Sequence, residues 1–284
     1  MILFVDALTV IDFSYLCAKR GAVGESWIVD MTLHGQLNEE SMVLDFAKVK
    51  KQIKSIIDST IDHKLAIPSK LACQFEQNDG RVAFDYSFNG HHLAMSAPDE
   101  AVCIVEGEKI DVQSVVAFLK GQILPKMPDN VKDIEITLRP EETSSFYYHY
   151  SHGLKKHDGN CQRIIHGHRS LIAIFLDGVS MPRLQKEWSQ RWEDIYLGSE
   201  EDLIEHAQLK YVTANDDDYA FAYESTQGYF EMSISQQRCE ILPCDTTVEC
   251  IADYLATEIK KSYSDKQVKV RAYEGVGKGA IAYA

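Results

Sequence analysis

The residues best suited to chemistry lie in Cys161-Gln162-Arg163-Ile164-Ile165-His166-Gly167-His168. This stretch holds a thiol and two imidazoles separated by one small residue, and it runs into residues 170–176, which read as a strand. Side chains alternate across a strand, so His166 and His168 point the same way. Gly167 lets another backbone come close without a side chain in the way. A third histidine, His152, closes the aromatic run at 145–151. Three neutral imidazoles with an open fourth position suit a catalytic zinc better than a structural one. His157 is the one credible substitute ligand nearby. The plainer reading of His-Gly-His is a turn with solvated imidazoles, and the plainer reading of Cys161, given less weight, is an unreactive thiol.

The rest of the composition bounds what those residues could serve. The chain has 284 residues and a net charge of -14. Such an acidic balance argues against a nucleic-acid backbone as partner, because phosphate contacts need clustered Lys and Arg. An anionic small molecule is still compatible, since a pocket can be locally basic. No apolar run approaches the ~20 residues of a membrane span. The first residues lack a basic region and a cleavage pattern, so no secretory signal is expected. Seven cysteines, an odd number without framework spacing, fit a reducing cytoplasm.

Elements that could position the cluster recur in order. Residues 2–15 and 27–35 read as strands. Asp45 is a plausible N-cap for a helix with Phe46, Val49, Ile53, Ile56 and Ile57 on one face. Residues 71–106 suggest an inserted β-hairpin region with turns at Asn78-Asp79-Gly80 and Asn89-Gly90. Asp111 opens a second helix with Val112, Val115, Val116, Leu119 and Ile123 on its apolar face, and 133–139 is another strand. From about 144 the order starts again: strands at 145–151 and 169–177, a helix over 184–204, strand-like material at 211–232, a helix from Thr246 and Thr247, and a last strand at 267–273. Thr246 and Glu249 have capping-box spacing. A period near half the chain is the mark of a duplication. The spacing from Gly24 to His63 equals that from Gly167 to His206, and Leu138-Arg139-Pro140-Glu141-Glu142 matches Val270-Arg271-Ala272-Tyr273-Glu274.

These residues resemble the 6-pyruvoyltetrahydropterin synthase and 6-carboxytetrahydropterin synthase family. The resemblance lies at 42–46 and Ile61-Asp62-His63-Lys64-Leu65 in the first copy. In the second it lies at Ser151-His152-Gly153-Leu154, 161–168, 245–249 and Glu274. The His…Cys…His-Gly-His combination is the specific part. The resemblance implies an α+β chain of two tandem tunnelling-fold (T-fold) units, 1–143 and 144–284, each an antiparallel four-stranded sheet with two helices on one face. It implies Zn2+ on His152, His166 and His168, Cys161 as catalytic base, and an Asp-His pair at Asp62 and His63, with His206 as the second-copy candidate. It implies Glu274 as the pterin anchor, with Thr246 and Thr247 beside it. The first copy has Tyr15, Val23 and Glu25 where the zinc histidines would be, so it is expected to carry no zinc.

The implied activity is a lyase reaction on 7,8-dihydroneopterin triphosphate, giving 6-carboxy- or 6-pyruvoyl-tetrahydropterin, in queuosine or pterin biosynthesis. The alternative is a pterin- or purine-binding T-fold protein without catalysis. Sites in this family lie between neighbouring units. The expected division of labour therefore takes zinc, Cys161 and Glu274 from the second copy and Asp62 and His63 from the first. A cytoplasmic homo-oligomer, a trimer of tandem chains or a multiple of it, is expected from the exposed sheet edges.

Overall fold

The computed structural model describes residues 1–39 and 41–284. The first half runs β1 (Ile2–Cys17), β2 (Gly21–Gly35), α1 (Phe46–Thr60), β3 (Leu65–Pro68), β4 (Gln74–Asn78), β5 (Arg81–Phe88), β6 (His91–Pro98), β7 (Val102–Val105), α2 (Val112–Ile123) and β8 (Val131–Arg139). The second half begins with β9 (Tyr147–His152), β10 (His166–Leu176), β11 (Val179–Ser180), α3 (Pro182–Arg191), β12 (Ile195–Ser199) and β13 (Leu203–Ile204). It continues with β14 (Asp218–Ser225), β15 (Gly228–Ser235), β16 (Cys239–Leu242), α4 (Val248–Ser262), β17 (Val268–Tyr273) and β18 (Gly279–Tyr283).

Each half builds one α+β layer pair in the same order. The first sheet is β7-β3-β1-β2-β8 and the second is β16-β12-β9-β10-β17-β18. In both, a central antiparallel hairpin takes an antiparallel strand on one side and two short parallel strands on the other. The antiparallel part has the expected four strands only in the second half, β9, β10, β17 and β18; in the first it has three, β1, β2 and β8, and the parallel pair completes the sheet. The apolar stripes of α1 and α2 cover the first sheet, with Val49, Ile53, Ile57, Val115, Leu119 and Ile123 buried against it. Ile251, Leu255 and Ile259 of α4 cover the second, beside Trp188 and Trp192. Asp45 and Asp111 cap their helices as expected, accepting from the backbone N–H of Lys48 and Ser114.

Three details depart from the sequence reading. The helix expected over 184–204 stops at Arg191, where Trp192 to Asp194 turn the chain into β12. Thr247, not Thr246, caps α4, its hydroxyl accepting from the Cys250 N–H. The match between 138–142 and 270–274 is displaced by two residues. Leu138 pairs with Val29 and Ala272 with Ile172, the equivalent position in the second half, so Pro140 stands where Glu274 stands.

The inserted regions of the two halves join in a third sheet, β13-β14-β15-β6-β5-β4, closed by β15 against β6. The two central hairpins meet at their glycines. Ser14 pairs with Gly24 and Ser151 with Gly167. The two serine hydroxyls lie 2.7 Å apart across the contact. A Cβ on Gly24 would sit 1.8 Å from the Tyr150 carbonyl oxygen, and one on Gly167 would sit 2.7 Å from the Cα of Gly24. Only glycine admits this approach.

Gly24→Ala is therefore expected to destabilise the fold at or beyond the upper end of the roughly 1–3 kcal/mol typical of overpacking. Gly121→Ala, in α2 with open space around it, is expected to stabilise by up to about 1 kcal/mol. Urea denaturation midpoints of the two variants measure the contrast.

Candidate metal and catalytic centre at the meeting of the two halves

His152 ends β9 and His166 and His168 open β10, with His152 paired to His166 and Tyr150 to His168. That register brings the three rings together. One nitrogen from each lies within 4.8 Å of the others, and all three residues are buried. Their outer contacts decide which nitrogen is free. His152 Nδ1 donates to the Thr246 carbonyl at 2.9 Å, with the Thr246 hydroxyl at 3.1 Å. His166 Nδ1 donates to the Arg163 carbonyl at 3.0 Å. Among the described residues, both rings thus present an Nε2 lone pair with no partner, and the Nε2 of His168 likewise has none, while its Nδ1 lies 3.2 Å from an Asp12 carboxylate oxygen. Buried polar atoms normally find partners. Convergent orphan imidazole nitrogens therefore fit a bound cation, with the carbonyls as outer supports. Burial, reinforced by the neighbouring imidazoles, holds His152 and His166 well below the ordinary histidine range, so both are neutral donors.

The first half supplies the groups beside this triad. His63 Nδ1 lies 2.6 Å from Asp62 Oδ2. Ligand atoms of His63, Cys161 and His166 lie within 4.8 Å of one another. Burial alone would lower the pKa of His63. The Asp62 carboxylate and the Cys161 sulfur outweigh it and raise His63 to about 10. His63 adopts a left-handed φ of 53°, an uncommon conformation that clusters at functional sites. It is held by its N–H donating to the Asp12 carbonyl at 2.7 Å.

The Cys161 loop is fixed from the third sheet. Tyr223 donates to the Gln162 carbonyl at 2.7 Å, and the Gln162 side chain accepts from Thr226 and the Gln227 N–H. Buried Arg163 reaches back to the carbonyls of Asp62 and His63 at 3.5 and 3.4 Å. Glu274 directly follows β17, with Oε1 3.8 Å from His168 Nε2. Lys278 lies between Glu274 and Asp12. A cleft of about 270 Å³ opens beside these groups, lined in part by Asp12, Lys54, Asp62, His63 and Lys278.

Thus Cys161, Asp62, His63, His152, His166, His168, Glu274 and Thr246 gather at one place, and Thr247 stands next to it as the α4 cap. His157 does not join the ligand group. His206 does not join either. It is exposed, and its Nε2 faces the Asp218 carbonyl at 2.9 Å, on the third sheet. Pairing shows why the spacing misled. Ser14 faces Leu65 and Ser151 faces Tyr196, so the counterpart of His63 is Asp194, which shares its left-handed backbone with φ 56°.

The mirrored position in the first half is filled by protein. The Arg20 guanidinium contacts Tyr15, the counterpart of His152, at 3.2 Å and grips Asp194 with two nitrogens. His149, the counterpart of Asp12, faces Glu25, the counterpart of His168, at 3.9 Å. Burial pushes Glu25 up to about 7 and His149 down to about 4. Asp12 itself was not singled out from sequence. Its signal was an isolated acid in the apolar run Ile11-Asp12-Phe13.

Residues 20–77 and 141–283 match the family described as 6-pyruvoyl tetrahydropterin synthase. The chain belongs to that family. A putative 6-carboxy-5,6,7,8-tetrahydropterin synthase of Pyrococcus abyssi is 21% identical over 131 residues, covering 46% of this chain and 76% of the relative. Two solved 6-pyruvoyl tetrahydropterin synthases are similar at 16% identity. That of Plasmodium falciparum covers 49% of this chain and 90% of its own with a TM-score of 0.39. That of Plasmodium vivax covers 51% and 93% with a TM-score of 0.40. Among the described residues no helix is long and apolar enough to cross a membrane.

The raised pKa of His63 sets a pH window for the metal-free protein. A histidine whose pKa rises on folding stabilises fully below its ordinary value near 6.5, and that contribution is lost as pH climbs through about 10. Urea denaturation across this window is expected to show stability falling, and Asp62→Asn is expected to flatten the decline.

Proposed function

We propose that the protein is a zinc-dependent carbon–oxygen lyase acting on 7,8-dihydroneopterin triphosphate to form 6-carboxy- or 6-pyruvoyl-tetrahydropterin, in queuosine or pterin biosynthesis. One observation carries the reading. Three imidazoles of the second half, each with an unpartnered Nε2 among the described residues, converge beside a thiol–imidazole–carboxylate series that draws its Asp62-His63 pair from the first.

His152, His166 and His168 would hold the zinc. When bound, the ion supplies Lewis-acid polarisation of the substrate's side-chain oxygens. Cys161, as thiolate, takes a proton from the side-chain carbon. His63 exchanges protons with that sulfur, and Asp62 fixes its ring with Nδ1 protonated and the other nitrogen toward the site. Glu274 accepts hydrogen bonds from the pterin N–H groups and so sets ring orientation. Thr246 holds His152, and Thr247 anchors the helix that carries Thr246. We assign the relay role to His63 rather than His206, because His63 stands beside Cys161 and His206 lies on the third sheet.

One feature favours the second reading, a pterin-binding protein without turnover. Lys54 is paired with Asp58, and Lys278 stands near Asp12 and Glu274. Both lysines of the cleft are thus already engaged, where a triphosphate would need free cations.

Purified protein incubated with 7,8-dihydroneopterin triphosphate is expected to yield a tetrahydropterin by mass spectrometry. Cys161→Ser and His63→Ala are each expected to lose about 10²–10⁴-fold in turnover, with His206→Ala near wild type. Tight pterin binding without turnover would leave the binding module. We also propose a homo-oligomer, since β7, β8, β16 and β18 end their sheets unpaired. Light scattering should give a multiple of 32.2 kDa.

A further inference from the structure

Asp12 takes no part in the chemistry above, yet it is fixed with unusual completeness. It is 4% exposed, on β1 of the first half. Its N–H donates to Asp62 Oδ1 at 2.9 Å, and its carbonyl accepts from the His63 N–H at 2.7 Å. Its carboxylate accepts from the Ser26 hydroxyl, and Lys278 Nζ lies 3.6 Å from Oδ2. The space behind it is closed. A Cβ on Gly275 would sit 2.4 Å from Oδ1. So held, Oδ1 lies 3.2 Å from His168 Nδ1.

The three imidazoles differ in what stands behind them. His152 and His166 are backed by carbonyls of their own half, Thr246 and Arg163. His168 has no carbonyl partner, and the acceptor beside its Nδ1 is Asp12 from the other half. We propose that Asp12 is a positioning residue for the metal centre. It turns His168 so that Nδ1 faces a carboxylate and Nε2 faces the cation, and it places a buried negative charge against a site of neutral donors. A carboxylate behind a ligating imidazole strengthens the donor, and its loss typically costs 10–100-fold in metal affinity. Because Asp62 and His63 hold the Asp12 backbone, one residue ties the metal ligand to the relay pair. The second half then carries all three ligands but not the full affinity. This inference rests on the metal reading above.

The test is zinc affinity of the full-length chain, by competition with a chromophoric chelator. Visible spectra of the cobalt-loaded protein and melting of the metal-free protein accompany it. Wild type without zinc binding would overturn the metal reading itself. Given wild-type binding, Asp12→Asn is expected to weaken zinc by 10–100-fold and to shift the cobalt bands. Ser26→Ala, which removes the hydroxyl steadying Oδ1, is expected to lose several-fold. Asp12→Asn within two-fold of wild type would overturn the role of Asp12. Should Asp12→Asn fail to fold, Ser26→Ala decides by the same criterion, with an unchanged affinity overturning the inference.

Discussion

The backbone crossing at Gly24 and Gly167 is the constraint on which the centre depends. With no side chain at either position, the two hairpins approach until the Ser14 and Ser151 hydroxyls touch. Asp12 lies two residues from Ser14 on the same strand face. His168 lies one residue beyond Gly167. A wider separation would leave Asp12, Asp62 and His63 facing solvent and the three imidazoles facing nothing. The third sheet closes the same arrangement from the far side, with Tyr223, Thr226 and Gln227 fixing the loop that carries Cys161.

Such a cluster of buried imidazoles is costly to fold. Buried polar groups without partners each cost free energy on the order of 1–3 kcal/mol, and among the described residues the Nε2 atoms of His152, His166 and His168 are in that condition. The three apolar cores offset this, each uniting strands and helices or two joined hairpins in a cluster of fully buried Leu, Ile, Val and aromatic side chains. The mirrored position shows the cheaper solution. There a guanidinium, always charged and rich in donors, meets Tyr15 and Asp194 directly, so no ion is required.

Much of this was legible from residue patterns. The helix caps at Asp45 and Asp111, the long hairpin strands and the shared side of His166 and His168 all follow from local spacing. The short parallel strands β3, β7, β12 and β16 were not readable, because four or five residues carry no period and only pairing makes them strands. The helix past Arg191 was overextended because Trp188, Trp192 and Ile195 keep an apolar spacing across a turn that Asp194 makes with positive φ. His206 was singled out because Ile-Glu-His echoes Ile-Asp-His. However, α3 spans 10 residues where α1 spans 15, so equal spacing along the chain does not mean equal place in the fold. Asp12 was missed because its meaning comes from the other half of the molecule.

The facing pairs Asp12–His168 and His149–Glu25 hold a final consequence. In a dimer of identical subunits the two contacts are related by symmetry and carry the same residue pair, so every subunit would have to present one acid and one imidazole. Covalent fusion lifts that restriction. Here each copy has taken the opposite member of the pair, acid against imidazole on one side and imidazole against acid on the other. Neither copy could now return to independent life by simple separation, because each would meet its own twin carrying the same charge type. Asymmetry of this kind works as an evolutionary ratchet.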